Sequence, residues 1–219
     1  QYLTPDGVSN WYSIPMIAEC SDYDHSRDLV RELVTDAVQR RLRTDLPVVV
    51  FLSGGIDSSI VLAIATKCHN QVHAITTGMI GSSDIKAAVK VCMHLGVDLT
   101  IVPTTLEQLL ESIEPVIFHT ESFEQNMVRA GVFSYLLARK ARQLGYKIAL
   151  CGEGADEIFA GYGDFIDPRE PSEFLQLTME FTRDLHRTQL QRVDRLGMAY
   201  TVEVREPFMD TQVVECAVS

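Results

Sequence analysis

The feature that most constrains the fold is a short apolar run that enters a glycine-rich turn and then an apolar segment. Residues 48–52 read Val-Val-Val-Phe-Leu, which is typical of a strand buried on both faces of a parallel sheet. The turn at residues 53–59 reads Ser-Gly-Gly-Ile-Asp-Ser-Ser, and a helix is predicted over residues 58–68. A strand, a turn of small residues and a helix in this order are typical of a phosphate-binding loop.

The turn residues are suited to bind a phosphate together with a metal ion. Gly54 and Gly55 allow the backbone to approach a ligand. The amides of Asp57, Ser58 and Ser59 lie at the helix start, where they favour an anion. No Lys follows the glycines, so the turn is not a Walker A loop. Because a carboxylate at Asp57 would repel phosphates, the sequence predicts Mg²⁺ with a nucleotide or pyrophosphate. The structural alternative is a tight turn in which Asp57 or Ser58 caps the helix.

Strands and helices alternate along the chain. Periodicity predicts helices over residues 28–42, 58–68, 83–95, 106–118 and 127–144, and strands over residues 48–52, 72–77, 98–102 and 147–151. This order predicts an α/β fold with a parallel sheet and helices on both faces. A mostly helical C-terminal part is expected after a break at residues 161–171. Ligand loops lie at the carboxyl ends of such strands, so the loops after residues 52 and 151 are expected to meet.

A second glycine-rich loop, residues 152–157, concentrates three carboxylates. Asp156 is predicted to join Asp57 as a ligand of Mg²⁺, because this cation commonly takes one or two carboxylates together with phosphate oxygens. Glu157 is either a functional acid or a favourable charge in the first turn of the next helix.

Charge and cysteine content exclude several classes of protein. The formal net charge of −11 argues against a nucleic-acid surface, which needs clustered Lys and Arg. The one dense basic run, Arg40-Arg41-Leu42-Arg43, ends a predicted helix and is expected to face water. Five cysteines without C-x-x-C spacing suggest neither a zinc site nor a disulfide framework, which favours the reducing cytoplasm. No apolar run reaches the ~20 residues of a membrane span, and no signal peptide is visible.

Four segments in order resemble the glutamine-dependent asparagine synthetases of the PP-loop ATP-pyrophosphatase superfamily. They are Ser53-Gly54-Gly55-Ile56-Asp57-Ser58-Ser59, the run from Gly78 to Ala88, the run from Cys151 to Tyr162, and a final stretch with Arg195, Met198, Glu203, Arg205, Pro207, Phe208 and Asp210. The resemblance implies ATP and Mg²⁺ as cofactors. It also implies that a carboxylate reacts with ATP to give an acyl-adenylate and pyrophosphate, and is then amidated by ammonia. The aspartate side chain is the first candidate for this carboxylate.

The resemblance further implies roles for individual residues. Glu153 contacts the amino-acid substrate and the reacting centre, and Arg129 helps to hold that substrate and its adenylate. Asn126 and Met127 stand where the family typically has two threonines, so the identity of the acceptor stays open. The predicted nucleotide-binding residues are Leu52, Ser53, Gly54, Gly55, Asp57, Ser58, Ser59, Thr77, Gly78, Cys151 and Gly152, and the predicted metal ligands are Asp57 and Asp156.

The resemblance divides the chain into two parts. Residues 1–20, with a hairpin turn at Asp6-Gly7, resemble the end of a glutaminase-type domain and a linker. Residues 21–219 are expected to form a synthetase domain that stops before a loop with a catalytic Lys. Ammonia is therefore expected from a glutaminase domain or subunit outside this chain, and a homodimer is one assembly left open. Two alternatives are a β-lactam-synthetase-like ring closure and a nucleotide-binding domain without turnover.

Overall fold

A five-stranded parallel sheet forms the centre of the structure, a computed structural model that describes residues 2–5, 7–9, 14, 22–165 and 170–218. The strands are β1 (Tyr2–Thr4), β2 (Gly7–Ser9), β3 (Val48–Phe51), β4 (Val72–Met79), β5 (Leu99–Thr104), β6 (Ile148–Leu150) and β7 (Glu203–Arg205). The helices are α1 (Tyr23–Arg41), α2 (Ile56–Cys68), α3 (Ser83–Leu95), α4 (Leu106–Glu111), α5 (Ile113–Thr120), α6 (Gln125–Gln143), α7 (Ala155–Ile158), α8 (Pro171–Asp184), α9 (Gln189–Met198) and α10 (Thr211–Ala217). The order β5-β4-β3-β6-β7, with every neighbouring pair parallel, confirms the predicted sheet. Strand β7 lies in the part that was expected to be mostly helical.

Helices cover both faces of the sheet. Successive side chains along each strand point to opposite faces, so each strand contributes apolar residues to both layers of helices. Val48 and Val50 of β3 belong to one buried cluster, together with Val38 of α1 and residues of α2. Val49 points to the opposite face and belongs to a cluster with Ala141 of α6. All three valines are fully buried, so the prediction of a strand covered on both faces is confirmed.

The helix predicted over residues 106–118 is divided into α4 and α5. A capping box begins α4, since Thr105 and Gln108 each bond the backbone of the other. Pro115 lies in the first turn of α5. Proline has no amide hydrogen, and its ring clashes with the carbonyl four residues earlier, here that of Glu111. The prediction of one continuous helix was wrong because it neglected this proline.

Arg40 and Arg41 anchor α1 to the start of α10. Arg40 Nη2 lies 3.0 Å from Asp210 Oδ1, and Arg41 Nη1 lies 2.9 Å from Asp210 Oδ2. Arg205 also donates a hydrogen bond to the carbonyl oxygen of Arg41. The prediction that this basic run faces water was therefore wrong for Arg40 and Arg41, whereas Arg43 is exposed.

An antiparallel pair of strands lies near the N-terminus. β1 and β2 pair with Thr4 opposite Gly7, so a hairpin is present. Asp6 lies outside the described residues, and Gly7 already belongs to β2. None of the helices in the described part of the chain combines the length and the apolar character that a membrane span requires.

Candidate functional site

A cavity of about 570 Å³ lies at the carboxyl ends of β3, β4 and β6. The other walls come from α6 and α9. The two glycine-rich loops meet there, as the sequence predicted. The predicted site residues that line the cavity are Leu52, Ser53, Asp57, Ser58, Thr77, Gly78, Cys151, Gly152, Glu153 and Asp156. The predicted site residues outside this lining are Gly54, Gly55, Ser59 and Arg129.

The helix after the first loop begins without a side-chain cap. Its N-cap is Gly55, and no side chain bonds the first amides from that position. The alternative in which Asp57 or Ser58 is the capping residue is therefore wrong. Ser59 donates its amide hydrogen to the carbonyl oxygen of Gly55 (3.1 Å). The prediction that this amide is available to an anion was therefore wrong. The amides before Ser59 precede the first helical hydrogen bond, which leaves the positive end of the helix dipole open to an anion.

Hydroxyl groups fix the shape of the first loop. Ser53 Oγ and Ser58 Oγ lie 3.0 Å apart, and Gly55 donates its amide hydrogen to Ser53 Oγ (3.2 Å). Ser59 Oγ donates to the carbonyl oxygen of Gly55 (2.6 Å). Ser53 and Ser58 both line the cavity, where their hydroxyls can donate to a phosphate oxygen.

Gly54 has a structural role that the sequence did not suggest. Its φ is +83°, in the left-handed region that favours glycine. A Cβ on this residue would clash with the backbone of Ala88 and with Ala87 in α3. The missing side chain therefore allows α3 to pack against the loop, independently of any ligand.

Asp57 and Asp156 lie in the first turns of α2 and α7, the helices that follow the adjacent strands β3 and β6. Burial, and then the charge of Asp156, raises the pKa of Asp57. Burial, and then the charge of Glu153, raises the pKa of Asp156. A bound cation would relieve this repulsion and compensate for the lost hydration. Among the described residues, no group of three or more His, Cys, Asp or Glu side chains could hold a metal ion. Two carboxylates are a donor set that fits Mg²⁺, with phosphate oxygens as its further ligands.

The cavity wall contains an ion pair that the sequence motifs did not reveal. Arg192 Nη2 lies 2.8 Å from Glu153 Oε2, and the Arg192 side chain is only 5% exposed. Arg192 also donates to Ser134 Oγ (2.9 Å) and to Gln189 Oε1 (3.0 Å). The sequence did contain a signal for this ion pair. Arg192 lies four residues before Leu196 on the apolar face of α9, and an arginine on such a face is seldom buried without a partner.

Glu157 is the most buried of the three carboxylates in the second loop, with 3% exposure. It accepts hydrogen bonds from the Tyr162 hydroxyl and from Gln189 Nε2 (3.4 Å). Burial is the main cause that raises its pKa, and the bond from Tyr162 opposes the shift. Glu157 does lie in the first turn of α7, but its carboxylate is bonded to Tyr162 and Gln189 rather than capping that helix.

The cavity is strongly acidic. Arg192 is the one Lys or Arg among its described lining residues. The acidic lining residues are Asp57, Asp84, Glu153, Asp156 and Glu157. A polyphosphate would meet net repulsion in this cavity unless cations accompanied it.

Two residues whose roles come from the resemblance, Arg129 and Thr77, use their side chains for hydrogen bonds within the protein. Arg129 is exposed, and its Nη2 donates to Asn126 Oδ1 (3.3 Å). Its contact with a substrate therefore stays a prediction. Thr77 lines the cavity, but its hydroxyl donates to the carbonyl oxygen of Val102 (3.0 Å) in the neighbouring strand.

A family model and curated relatives show to which family the chain belongs. The family model described as asparagine synthase matches residues 29–173 and 166–219. The chain is 35% identical to the glutamine-hydrolyzing asparagine synthetase of Brassica oleracea, over 97% of this chain and 38% of the relative. It is 36% identical to that of Asparagus officinalis, over 87% of this chain and 34% of the relative. The chain thus spans well under half the length of these relatives. A solved glutamine-dependent NAD⁺ synthetase from Acinetobacter baumannii aligns with a TM-score of 0.47 and 20% identity, over 74% of this chain and 34% of that chain.

Proposed function

The chain belongs to the asparagine synthase family, and we propose that it uses ATP to activate a carboxylate and then forms an amide with ammonia. The observation that carries this proposal is the placement of Asp57 and Asp156 in the first turns of the helices that follow the adjacent strands β3 and β6. Both line the cavity next to the uncapped start of α2. Anionic phosphates and a divalent cation suit this combination of an open helix end and two repelling carboxylates.

The cavity provides distinct surroundings for the parts of ATP. Its volume of about 570 Å³ is in the range of nucleotide and cofactor sites. Leu52 and Thr77 line the proposed adenosine end, while Ser53 and Ser58 line the proposed phosphate end. Asp57 and Asp156 would hold Mg²⁺, which when bound neutralises phosphate charge and stabilises the departing pyrophosphate.

The proposed reaction has two steps. A carboxylate oxygen of the acceptor attacks the α-phosphorus of ATP, the bond to the β-phosphate oxygen breaks, and pyrophosphate leaves. Ammonia then attacks the acyl carbon, AMP leaves with the electrons of the carbon–oxygen bond, and the nitrogen loses a proton. Glu153 is the proposed catalytic contact with the acceptor and the reacting centre. The protein acts mainly by orientation and charge neutralisation, since no covalent step falls on its side chains.

The aspartate side chain is the proposed acceptor, because the named relatives are asparagine synthetases. Those relatives are also glutamine-hydrolyzing, which supports a glutaminase domain or subunit as the source of ammonia. Residues 1–20 are proposed to belong to the end of such a domain. A contact between Arg129 and the acceptor is also part of the proposal. A cytoplasmic location, which the cysteine pattern favours, is part of the proposal. A homodimer is also part of the proposal.

The test is exchange of labelled pyrophosphate into ATP, with Mg²⁺, across a panel of amino acids led by aspartate. Exchange that depends on aspartate supports reversible adenylate formation. Exchange with a β-amino acid whose consumption needs no ammonia would indicate ring closure instead. MgATP binding without exchange for any acceptor would contradict the proposal and indicate a nucleotide-binding domain without turnover. Asp57→Asn is the matched negative control, because it removes one proposed metal ligand without a change in side-chain size.

A further inference from the structure

We propose that Arg192 is the positioning residue for Glu153, whose carboxylate it fixes against the cavity. This inference rests on the proposed function, because the catalytic role of Glu153 is taken from there. Arg192 itself does not need to touch a substrate. Its part is to keep one carboxylate in one orientation while the acceptor binds and reacts.

The guanidinium of Arg192 is held on several sides. Nη2 donates to Glu153 Oε2 (2.8 Å) and to Gln189 Oε1 (3.0 Å), and Nη1 donates to Ser134 Oγ of α6 (2.9 Å). The Arg192 side chain is 5% exposed, whereas the Glu153 side chain is 32% exposed. The buried partner is therefore fixed by α6 and by its own helix, and the more exposed partner faces the cavity that it lines.

Gln189 connects this pair to a second carboxylate. Its Nε2 donates to Glu157 Oε1 (3.4 Å), and the Tyr162 hydroxyl donates to the same oxygen. Glu157 is almost fully buried, so it is a fixed acceptor for Gln189. The bond from Gln189 Nε2 to Glu157 fixes the whole side-chain amide of Gln189. It therefore also fixes the orientation of Gln189 Oε1, which accepts from Arg192.

Stability does not explain why an arginine occupies this position. Nε of Arg192 is buried and has no hydrogen-bond partner among the described residues. An unsatisfied buried donor destabilises a fold. Replacement of a buried ion pair by apolar side chains of similar volume is often neutral or stabilising. A guanidinium in such a position is better explained by the carboxylate that it orients.

The test is a double-mutant cycle on the rate of amide formation, with Arg192→Met, Glu153→Gln and both changes together. Arg192→Met removes the charged hydrogen bonds but keeps a long apolar stem. We expect it to slow amide formation about 100-fold, as is typical for a displaced catalytic group, with less change in the apparent constant for ATP. In the Glu153→Gln background the same change should have little further effect, because the carboxylate that Arg192 orients is gone.

Arg195→Met is the matched control. Arg195 lies on the same helix, pairs with Glu121 (2.8 Å), and is not among the residues that line the cavity. Its effect on the rate should multiply with that of Glu153→Gln. Arg192→Lys should restore only part of the rate, because an ammonium cannot reproduce the planar fork. If the Arg192→Met chain does not fold, Ser134→Ala takes its place, and any slowing that it causes should disappear in the Glu153→Gln background.

Rate losses that multiply for Arg192 and Glu153 would overturn the inference, since they would mean that the two residues act separately. An inactive wild-type chain would count against the proposed function instead. In that case the same four chains are compared in urea unfolding. Coupling between the two changes would then support a fixed pair, and additive changes would overturn it.

Discussion

Gly152 lies so close to Ser58 that a Cβ on the glycine would be 2.7 Å from the amide nitrogen of the serine. Gly152 lies in the loop after β6, and Ser58 lies in the first turn of α2, which follows the neighbouring parallel strand β3. Backbone therefore packs directly against backbone at the point where the two glycine-rich loops meet.

Gly152→Ala should separate the two loops. Because the group in contact is backbone and cannot rotate away, we expect a loss of about 1–3 kcal/mol in the free energy of unfolding, as is typical of overpacking. We also expect weaker MgATP binding, measured by calorimetry. Gly163→Ala is the control, because a Cβ there would meet nothing within 4 Å. Equal stability and equal binding in the Gly152→Ala chain would contradict the close contact.

Asp57→Asn and Asp156→Asn should each abolish Mg²⁺-dependent pyrophosphate exchange while the chain stays folded. Without Mg²⁺ each change should leave the melting temperature unchanged or raise it, because burial and then the charge of a neighbouring carboxylate raise the pKa of each residue, the neighbour being Asp156 for Asp57 and Glu153 for Asp156. Any gain should be small, because Asp57 is only partly buried, Asp156 is exposed, and water screens charges at such positions. Thermal unfolding with and without MgATP measures both effects. A lower melting temperature in metal-free buffer would contradict the proposed repulsion.

The parts of the site that the sequence predicted are those that local patterns determine. An apolar run of five residues, a turn of small residues and a helical period specify the loop after β3 without reference to the rest of the chain. The loop after β6 follows the same logic, and the rule for parallel strands places the two together. Of the predicted site residues in these two loops, Ser53, Asp57, Ser58, Gly152, Glu153 and Asp156 line the cavity, whereas Gly54, Gly55 and Ser59 do not.

The parts that the sequence did not predict depend on distant contacts. Arg192 bonds Glu153 and Ser134, which are 39 and 58 residues away. Arg40 bonds Asp210 across 170 residues. A single sequence gives no register between such segments, so a cation on a helix can be assigned to solvent when it is in fact paired. Arg129 shows the converse, since its assignment came from a motif while its side chain lies outside the cavity lining.

Asp210→Asn should destabilise the chain by weakening the attachment of α1 to α10. The Asp210 side chain is 12% exposed and accepts from both Arg40 and Arg41. Loss of its charge leaves two partly buried guanidinium groups without their counterion, which we expect to cost about 2–3 kcal/mol. Urea unfolding measures this loss. Asp24→Asn is the matched control on α1, because its pair with Arg27 is largely exposed and should contribute little. Equal midpoints for the two variants would contradict the anchoring role.

Glu206→Gln should change how stability depends on pH. Burial is the main cause that raises the pKa of Glu206 from 4.5 to about 7, with Arg41 opposing the shift and Asp194 and Glu153 adding to it. Below about pH 4.5 the carboxyl is protonated in the folded and unfolded chains and has no effect on stability. Between pH 4.5 and 7 the unfolded chain loses this proton while the folded chain keeps it, so the free energy of unfolding falls as pH rises.

The glutamine variant lacks this titration and should therefore match the wild type well below pH 4.5 and exceed it at pH 8. The expected difference at pH 8 is about 3 kcal/mol, because one pKa unit corresponds to about 1.4 kcal/mol. Urea unfolding at several pH values measures it, and comparison of the two chains cancels the other carboxylates. Glu203→Gln serves as the control, since it removes a carboxylate whose side chain is 58% exposed. Parallel curves for the Glu206→Gln and wild-type chains would show that Glu206 titrates alike in the folded and unfolded states.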